Sequence, residues 1–316
     1  MAARGRLAGM GWIGWTVTIV LVLAAALFGG WRYAHATGAV GLLELADRTM
    51  ASTDGTAVAA SGVRYGPAPA QRLDVIAPNA PGPHPVLVFF HGGGWHSGRA
   101  EDYRFVGRAF ARAGYVVVLP GYRLVPEGAY PAMLEDGAAA LSWVRGNVGA
   151  LGGDPDRVFL MGHSAGGYIA AMLGLERRWL EHERLPAGFV KGVVGLSGPY
   201  DFHPFTSDSA RNAFGHVADP AITQPIRFVR GDAPPMLLVT GDADVTVKPR
   251  NSRVLAQALT TAGARAELLV LPQVDHAGTV KVLAWPFAGD DRVRQAALAF
   301  MAATPASAPV QAPGDQ

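Results

Sequence analysis

From Arg72 onward the chain alternates short, continuous apolar runs with stretches of helical spacing, and this alternation restricts it to a parallel sheet covered by helices on both faces. A strand buried on both sides reads as an unbroken apolar run, not as an alternating one. The runs are Arg72–Ile76, Val86–Phe90, Val116–Leu119, Val158–Met161, Gly192–Leu196, Met236–Thr240 and Glu267–Leu271. Between them, Tyr103, Val106, Phe110 and Ala113 share one helix face, and Val254, Leu255, Ala258 and Leu259 share another. Pro131 suits a helix start ahead of Met133–Val144. With 50% of its 316 residues hydrophobic, the chain has enough apolar surface for one large α/β core.

The flanks depart from this pattern. In residues 1–36, Arg4 and Arg6 precede a stretch from Leu7 to Trp31 that carries no charge and is most apolar from Ile19 to Phe28. At roughly 1.5 Å per helical residue it is long enough to cross a bilayer. Trp12, Trp15, Trp31 and Tyr33 lie near its ends, where amphipathic rings favour the headgroup region. Two arginines before it, against Arg32 after it, set the N-terminus inside and the rest of the chain outside the cytoplasm. Ala34-His35-Ala36 offers a small-residue cleavage site, so a removed signal peptide is the alternative. The stretch exceeds the usual apolar length of about 7–15 residues in such peptides, which favours an uncleaved membrane anchor. Residues 37–61 read as a tether, 62–303 as the folded domain, and the Pro/Ala/Gln-rich residues 304–316 as a disordered tail. Residues 200–235 are too long for a tight connection between strands. With Phe202, Phe205, Phe214 and Phe228 they suit a short cap.

Composition removes several functions. Lys and Arg number 27 against 25 Asp and Glu, and no basic run is long enough to track a phosphate backbone, so nucleic acid is not an expected partner. The absence of cysteine rules out disulfide frameworks, cysteine-ligated metals and thiol nucleophiles. No His/Asp cluster has metal-ligand spacing, so no metal site is expected from the residues.

Gly162-His163-Ser164-Ala165-Gly166-Gly167 follows the run Val158–Met161 and precedes the helical stretch Tyr168–Leu175. A serine in G-x-S-x-G at a strand-to-helix turn is a nucleophile elbow, so tight that only small residues fit around the serine. The helix N-terminus behind Ser164 favours developing negative charge. His91-Gly92-Gly93-Gly94-Trp95 follows Val86–Phe90, where glycines let backbone N–H groups converge on one oxygen. Gly93, Gly94 and Ala165 are therefore the expected oxyanion hole. The base expected for Ser164 is His276, in the loop after the last run. The acid that orients it should come one strand earlier, where Asp242 and Asp244 both qualify by position. Asp242 lies closer to the strand as a turn former, and Asp275 is adjacent to His276 in sequence, so Asp244 is the choice. Trp95 and Tyr168 are expected to line the substrate pocket.

In this order, His91–Trp95, Gly162–Gly167, Gly241–Val247 and Asp275–Gly278 resemble the α/β-hydrolase superfamily over roughly residues 62–301. The HGGGW and GHSAGG pair is similar to its esterase/lipase branch, which includes feruloyl-esterase-like, arylformamidase-like and hormone-sensitive-lipase-like hydrolases. His163 stands where the lipase-like group usually has Asp, and Gly-Asp-Ala-Asp stands in place of its D-P-L-x-D motif. The resemblance implies a Ser–His–Asp hydrolase of small-molecule carboxylic esters that needs no cofactor. An amidohydrolase of arylformamidase type is the alternative enzyme, and a non-catalytic ligand-binding protein of the same fold is the alternative outside enzymes.

Overall fold

The computed structural model describes residues 15, 17–21, 40–52 and 55–304. Among them, β1 (Thr56–Arg64), β2 (Arg72–Pro78), β3 (His84–Phe90), β4 (Val116–Pro120), β5 (Gly153–His163), β6 (Val190–Leu196), β7 (Met236–Gly241) and β8 (Ala266–Leu271) form one sheet in the order β1-β2-β4-β3-β5-β6-β7-β8. The strands from β3 to β8 are mutually parallel, and β2 is antiparallel to both β1 and β4. Every apolar run named above lies in a strand. This mostly parallel sheet with helices on both faces is the architecture that the α/β-hydrolase resemblance implies.

The helices, among them the short α5 (Arg178–His182) and α8 (Gly278–Lys281), divide between the two faces. On one, α3 (Ala132–Asn147), α4 (Ala165–Leu175) and α7 (Arg250–Thr261) bury Leu134, Leu141, Ile169, Leu173, Leu255 and Leu259 against Val86, Val88, Leu160 and Val193. On the other, α2 (Arg104–Ala111) and α9 (Arg292–Ala302) bury Phe105, Phe110, Val293 and Phe300 against Leu87, Val117, Met161 and Val194. Helix α4 is apolar all round and wholly buried, which holds the turn that precedes it rigid.

The chain passes from β3 outward to β4 and then returns to the other side of β3 as β5. This reversal opens a crevice at the carboxyl ends of β3 and β5, the usual ligand site in open α/β sheets. Phe90 pairs with Gly162 across these strands, so the glycine loop and the elbow leave the sheet side by side. Gly241 pairs with Leu271 in the same way and brings together the loops after β7 and β8.

The tether expected over residues 37–61 is corrected. Residues 40–50 (α1) are helical, and residues from Thr56 belong to β1. Helix α1 buries its acidic face: Glu44 and Asp47 reach Arg108 at 2.7 and 2.6 Å. Glu44 also accepts the Phe105 N–H at 2.7 Å, and Asp47 accepts the Trp285 N–H at 2.6 Å. The sequence around α1 concealed this docking because its partners, Arg108 and the Phe105 and Trp285 N–H groups, lie far along the chain. Strand β1 is an exposed edge paired only with β2, and it needs no apolar face.

Among the described residues no helix is long and apolar enough to cross a membrane. Apart from residues 15 and 17–21, the expected anchor over residues 1–36 lies outside the described residues, and so does the tail beyond Thr304. The expected cap region contains α6 (Asp208–Phe214) and two short 3-10 turns, and Phe202 and Phe214 pack at its base.

Candidate active site

The turn from β5 to α4 places Ser164 at φ +54°, ψ −120°, a strained conformation for a residue with a side chain. Its neighbours must be glycine. A Cβ on Gly162 would lie 2.1 Å from the Gly166 carbonyl oxygen, and one on Gly166 would lie 2.0 Å from that of Phe90. The Ser164 N–H donates to the Leu196 carbonyl at 2.8 Å, which ties the elbow to β6.

The loops after β7 and β8 bring Asp244 and His276 to this serine. His276 Nε2 lies 2.8 Å from Ser164 Oγ, and His276 Nδ1 lies 2.8 Å from Asp244 Oδ2. The other carboxylate oxygen of Asp244 accepts the N–H groups of Thr246 and Val247 at 3.0 and 2.9 Å. Burial pushes the Asp244 carboxyl up, but the hydrogen bonds from His276 and the Val247 N–H outweigh it and hold the group below the usual carboxylate range. The aspartate is thus kept ionised next to the imidazole.

The glycine loop closes the other side. Gly93 adopts φ +127° and Gly94 φ +59°. A Cβ on Gly93 would lie 2.0 Å from the Ser97 carbonyl oxygen, so the loop requires glycine there. The Gly93 carbonyl accepts the N–H groups of His96 and Ser97, each at 3.1 Å. The N–H groups of Gly93 and Gly94 take no partner among the described residues. Both glycines and Ala165 line the cleft that contains Ser164 and His276. That cleft holds about 690 Å³ and is walled by Trp95, by Phe202 and Ser207 of the 200–235 region, and by Val245.

Trp95 lines the cleft, whereas Tyr168, expected there too, does not. The first turn of α4 directs Tyr168 into the core, where it is fully buried and packs edge-on behind Trp95 at 5.6 Å between ring centroids. Two contributors were not singled out in the sequence. Val40 of α1 lines the cleft, although its helix was read as tether. His163, within the elbow motif, donates its Nε2–H to the His276 carbonyl at 3.0 Å and so braces the histidine loop. Burial, helped by the neighbouring His276, pushes the His163 imidazole down to about 3, which keeps it neutral. Its departure from the lipase-like motif was the only signal of this role.

The family profile described as BD-FAE matches residues 73–259. The isoprenylcysteine alpha-carbonyl methylesterase ICME of Arabidopsis thaliana is 32% identical over 234 residues, 67% of this chain and 55% of that protein. Esterase LipC of Mycobacterium tuberculosis is 32% identical over 239 residues, 68% of this chain and 58% of that protein. The chain therefore spans somewhat more than half the length of these curated relatives. A truncated carbohydrate esterase from gut microbiota superimposes with a TM-score of 0.70 at 22% identity, covering 79% of this chain and 97% of that one. Esterase B from Lactobacillus Rhamnosis superimposes with a TM-score of 0.69 at 20% identity, covering 90% and 95%. At such identities the likeness is one of fold.

Proposed function

The chain belongs to the BD-FAE family, within the α/β-hydrolase esterases, and from that premise we propose that it is a serine hydrolase of small-molecule carboxylic esters. The observation that carries this reading is the unbroken hydrogen-bonded path Ser164–His276–Asp244, with the serine on the strained elbow. The names of the relatives, among them esterases and a methylesterase, support the ester as substrate.

In this mechanism Ser164 Oγ attacks the ester carbonyl carbon while His276 Nε2 takes its proton. Asp244 holds the Nδ1–H tautomer and stabilises the imidazolium that forms. The N–H groups of Gly93, Gly94 and Ala165 receive the oxyanion, a contribution on the order of 10²–10³ in rate per donor in such sites. Collapse breaks the C–O bond, and the alkoxide leaves as the alcohol with the proton from His276. Water, deprotonated by the same imidazole, then attacks the acyl carbon; the bond to Ser164 Oγ breaks, the oxygen takes the proton back from His276, and the acid leaves. Every step uses side chains, backbone N–H groups and water.

A fluorophosphonate probe should label the wild-type chain at Ser164 and fail to label Ser164→Ala, with hydrolysis of a soluble aryl ester lost in parallel by several orders of magnitude. Labelling of another serine that survives this change would overturn the assignment.

The same reading extends to location: residues 7–31 anchor the chain in a bilayer and hold the catalytic domain on the extracytoplasmic side. Three features support it. The segment is free of charge, two arginines precede it and one follows, and its described residues Val17, Ile19, Val20 and Leu21 are helical with their apolar side chains mostly exposed.

A further inference from the structure

The loop after β3 contains a turn that its own residues do not favour. The His96 N–H donates to the Gly93 carbonyl at 3.1 Å, and the residues between them, Gly94 and Trp95, have φ +59° and +64°. This is the pattern of a type I′ turn, which favours glycine or asparagine at both central positions. A bulky aromatic at positive φ is strained. Flipping the Gly94–Trp95 peptide would convert the turn to type II′, which needs positive φ at Gly94 alone and would relieve Trp95. Some contact must hold that peptide against the flip.

The His96 side chain makes that contact. Its Nδ1 lies 2.8 Å from the Gly94 carbonyl oxygen, and a carbonyl only accepts, so Nδ1 carries the proton. Nε2 is then the acceptor, and it meets Asn212 Nδ2 of α6 at 3.3 Å. Among the described residues the Gly94 carbonyl takes no other partner. Helix α6 also abuts the loop directly, since a Cβ on Gly94 would lie 3.4 Å from Ser209 Cβ. The peptide that His96 holds joins Gly94, an oxyanion donor, to Trp95, whose ring lines the cleft and packs on Phe202 and Phe214.

We propose that His96 is a positioning residue for ester hydrolysis: it locks the Gly94–Trp95 peptide, and Asn212 ties that lock to α6. His96 is exposed and does not line the cleft, so it acts through the loop and not on the substrate. Without its hydrogen bond the turn relaxes, and the Gly94 N–H and the Trp95 ring lose their fixed aim. The oxyanion forms only after attack, so turnover suffers more than substrate binding. The inference rests on the esterase reading above, and the experiment separates the two.

A pair of replacements separates the hydrogen bond from the shape of the ring. His96→Phe keeps a ring and removes the donor, whereas His96→Asn keeps an N–H near the Nδ1 position. Wild type and variants are brought to equal active-site concentration by fluorophosphonate titration. Then kcat and KM are measured on a soluble aryl ester, with the Ki of a trifluoromethyl ketone, whose adduct with Ser164 carries an oxyanion. His96→Phe should lower kcat about tenfold or more with KM within about threefold, and raise Ki in proportion to the loss in kcat/KM. His96→Asn should stay within about threefold of wild type, because the donor to Gly94 remains. Asn212→Leu should lower kcat less than His96→Phe does, and add nothing to it in the double variant. Unchanged kcat in His96→Phe, or an equal loss in His96→Phe and His96→Asn, overturns the inference and leaves the esterase reading intact. Wild-type protein that is neither labelled nor hydrolyses the ester counts against the esterase reading, and the inference falls with it.

Discussion

Asp242 and Asp244 stand two residues apart in one loop, yet only Asp244 faces the imidazole. Asp244 Oδ2 lies 2.8 Å from His276 Nδ1, whereas Asp242 Oδ1 accepts the backbone N–H of Gln273 at 2.6 Å. The first aspartate joins the two loops, and the second meets the histidine.

Asp244→Asn should therefore lower kcat on a soluble aryl ester by at least about 10³-fold, because the amide favours the wrong imidazole tautomer. Asp242→Asn should leave kcat within a few-fold of wild type. Steady-state kinetics of the two variants decide, and greater damage from Asp242→Asn would reverse the assignment.

The glycines around the serine should be far less replaceable than glycines elsewhere. Gly166→Ala drives a Cβ into the Phe90 carbonyl oxygen and should cost at least about 2 kcal/mol as overpacking against backbone. Gly146, inside α3, has nothing within 4 Å of a Cβ, so Gly146→Ala should stabilise by up to about 1 kcal/mol. Denaturation midpoints in urea should move in opposite directions.

Arg108 is the counter-charge of both buried acids of α1. Arg108→Met leaves Glu44 and Asp47 buried without a counter-charge and should cost about 3–5 kcal/mol or release the helix. Limited proteolysis checks this: cleavage should appear within residues 40–55 while the sheet stays resistant. A protease pattern identical to wild type would mean that other contacts hold the helix.

Stability should fall on mild acidification. Burial pushes His163 down to about 3 and His91 to about 4, while in the unfolded chain both titrate near 6.5. Below about pH 6.5 the unfolded chain takes up protons that the folded chain refuses, so this stability is full above about pH 7 and declines towards pH 4. Asp244, depressed in the fold, adds a further loss only when the pH passes below its ordinary value of about 3.9. Urea midpoints at pH 7.5 and 5.0 should differ clearly for wild type and less for His163→Gln. Equal midpoints for wild type would refute the buried neutral histidines.

Much of this protein was legible without coordinates because its constraints are local. Continuous apolar runs mark strands covered on both faces, and the glycines at 162 and 166 mark a turn that no side chain fits. The chain order Ser164, Asp244, His276 follows from the order in which β5, β7 and β8 leave the sheet. Tertiary structure alone decided matters that depend on distant partners. Whether Asp242 or Asp244 meets the histidine depends on how the loops after β7 and β8 lie side by side. Tyr168 lies behind Trp95 because α4 is enclosed on every side. Helix α1 turns its acids inward because Arg108 awaits them across 61 and 64 residues, a separation over which neither periodicity nor composition carries information.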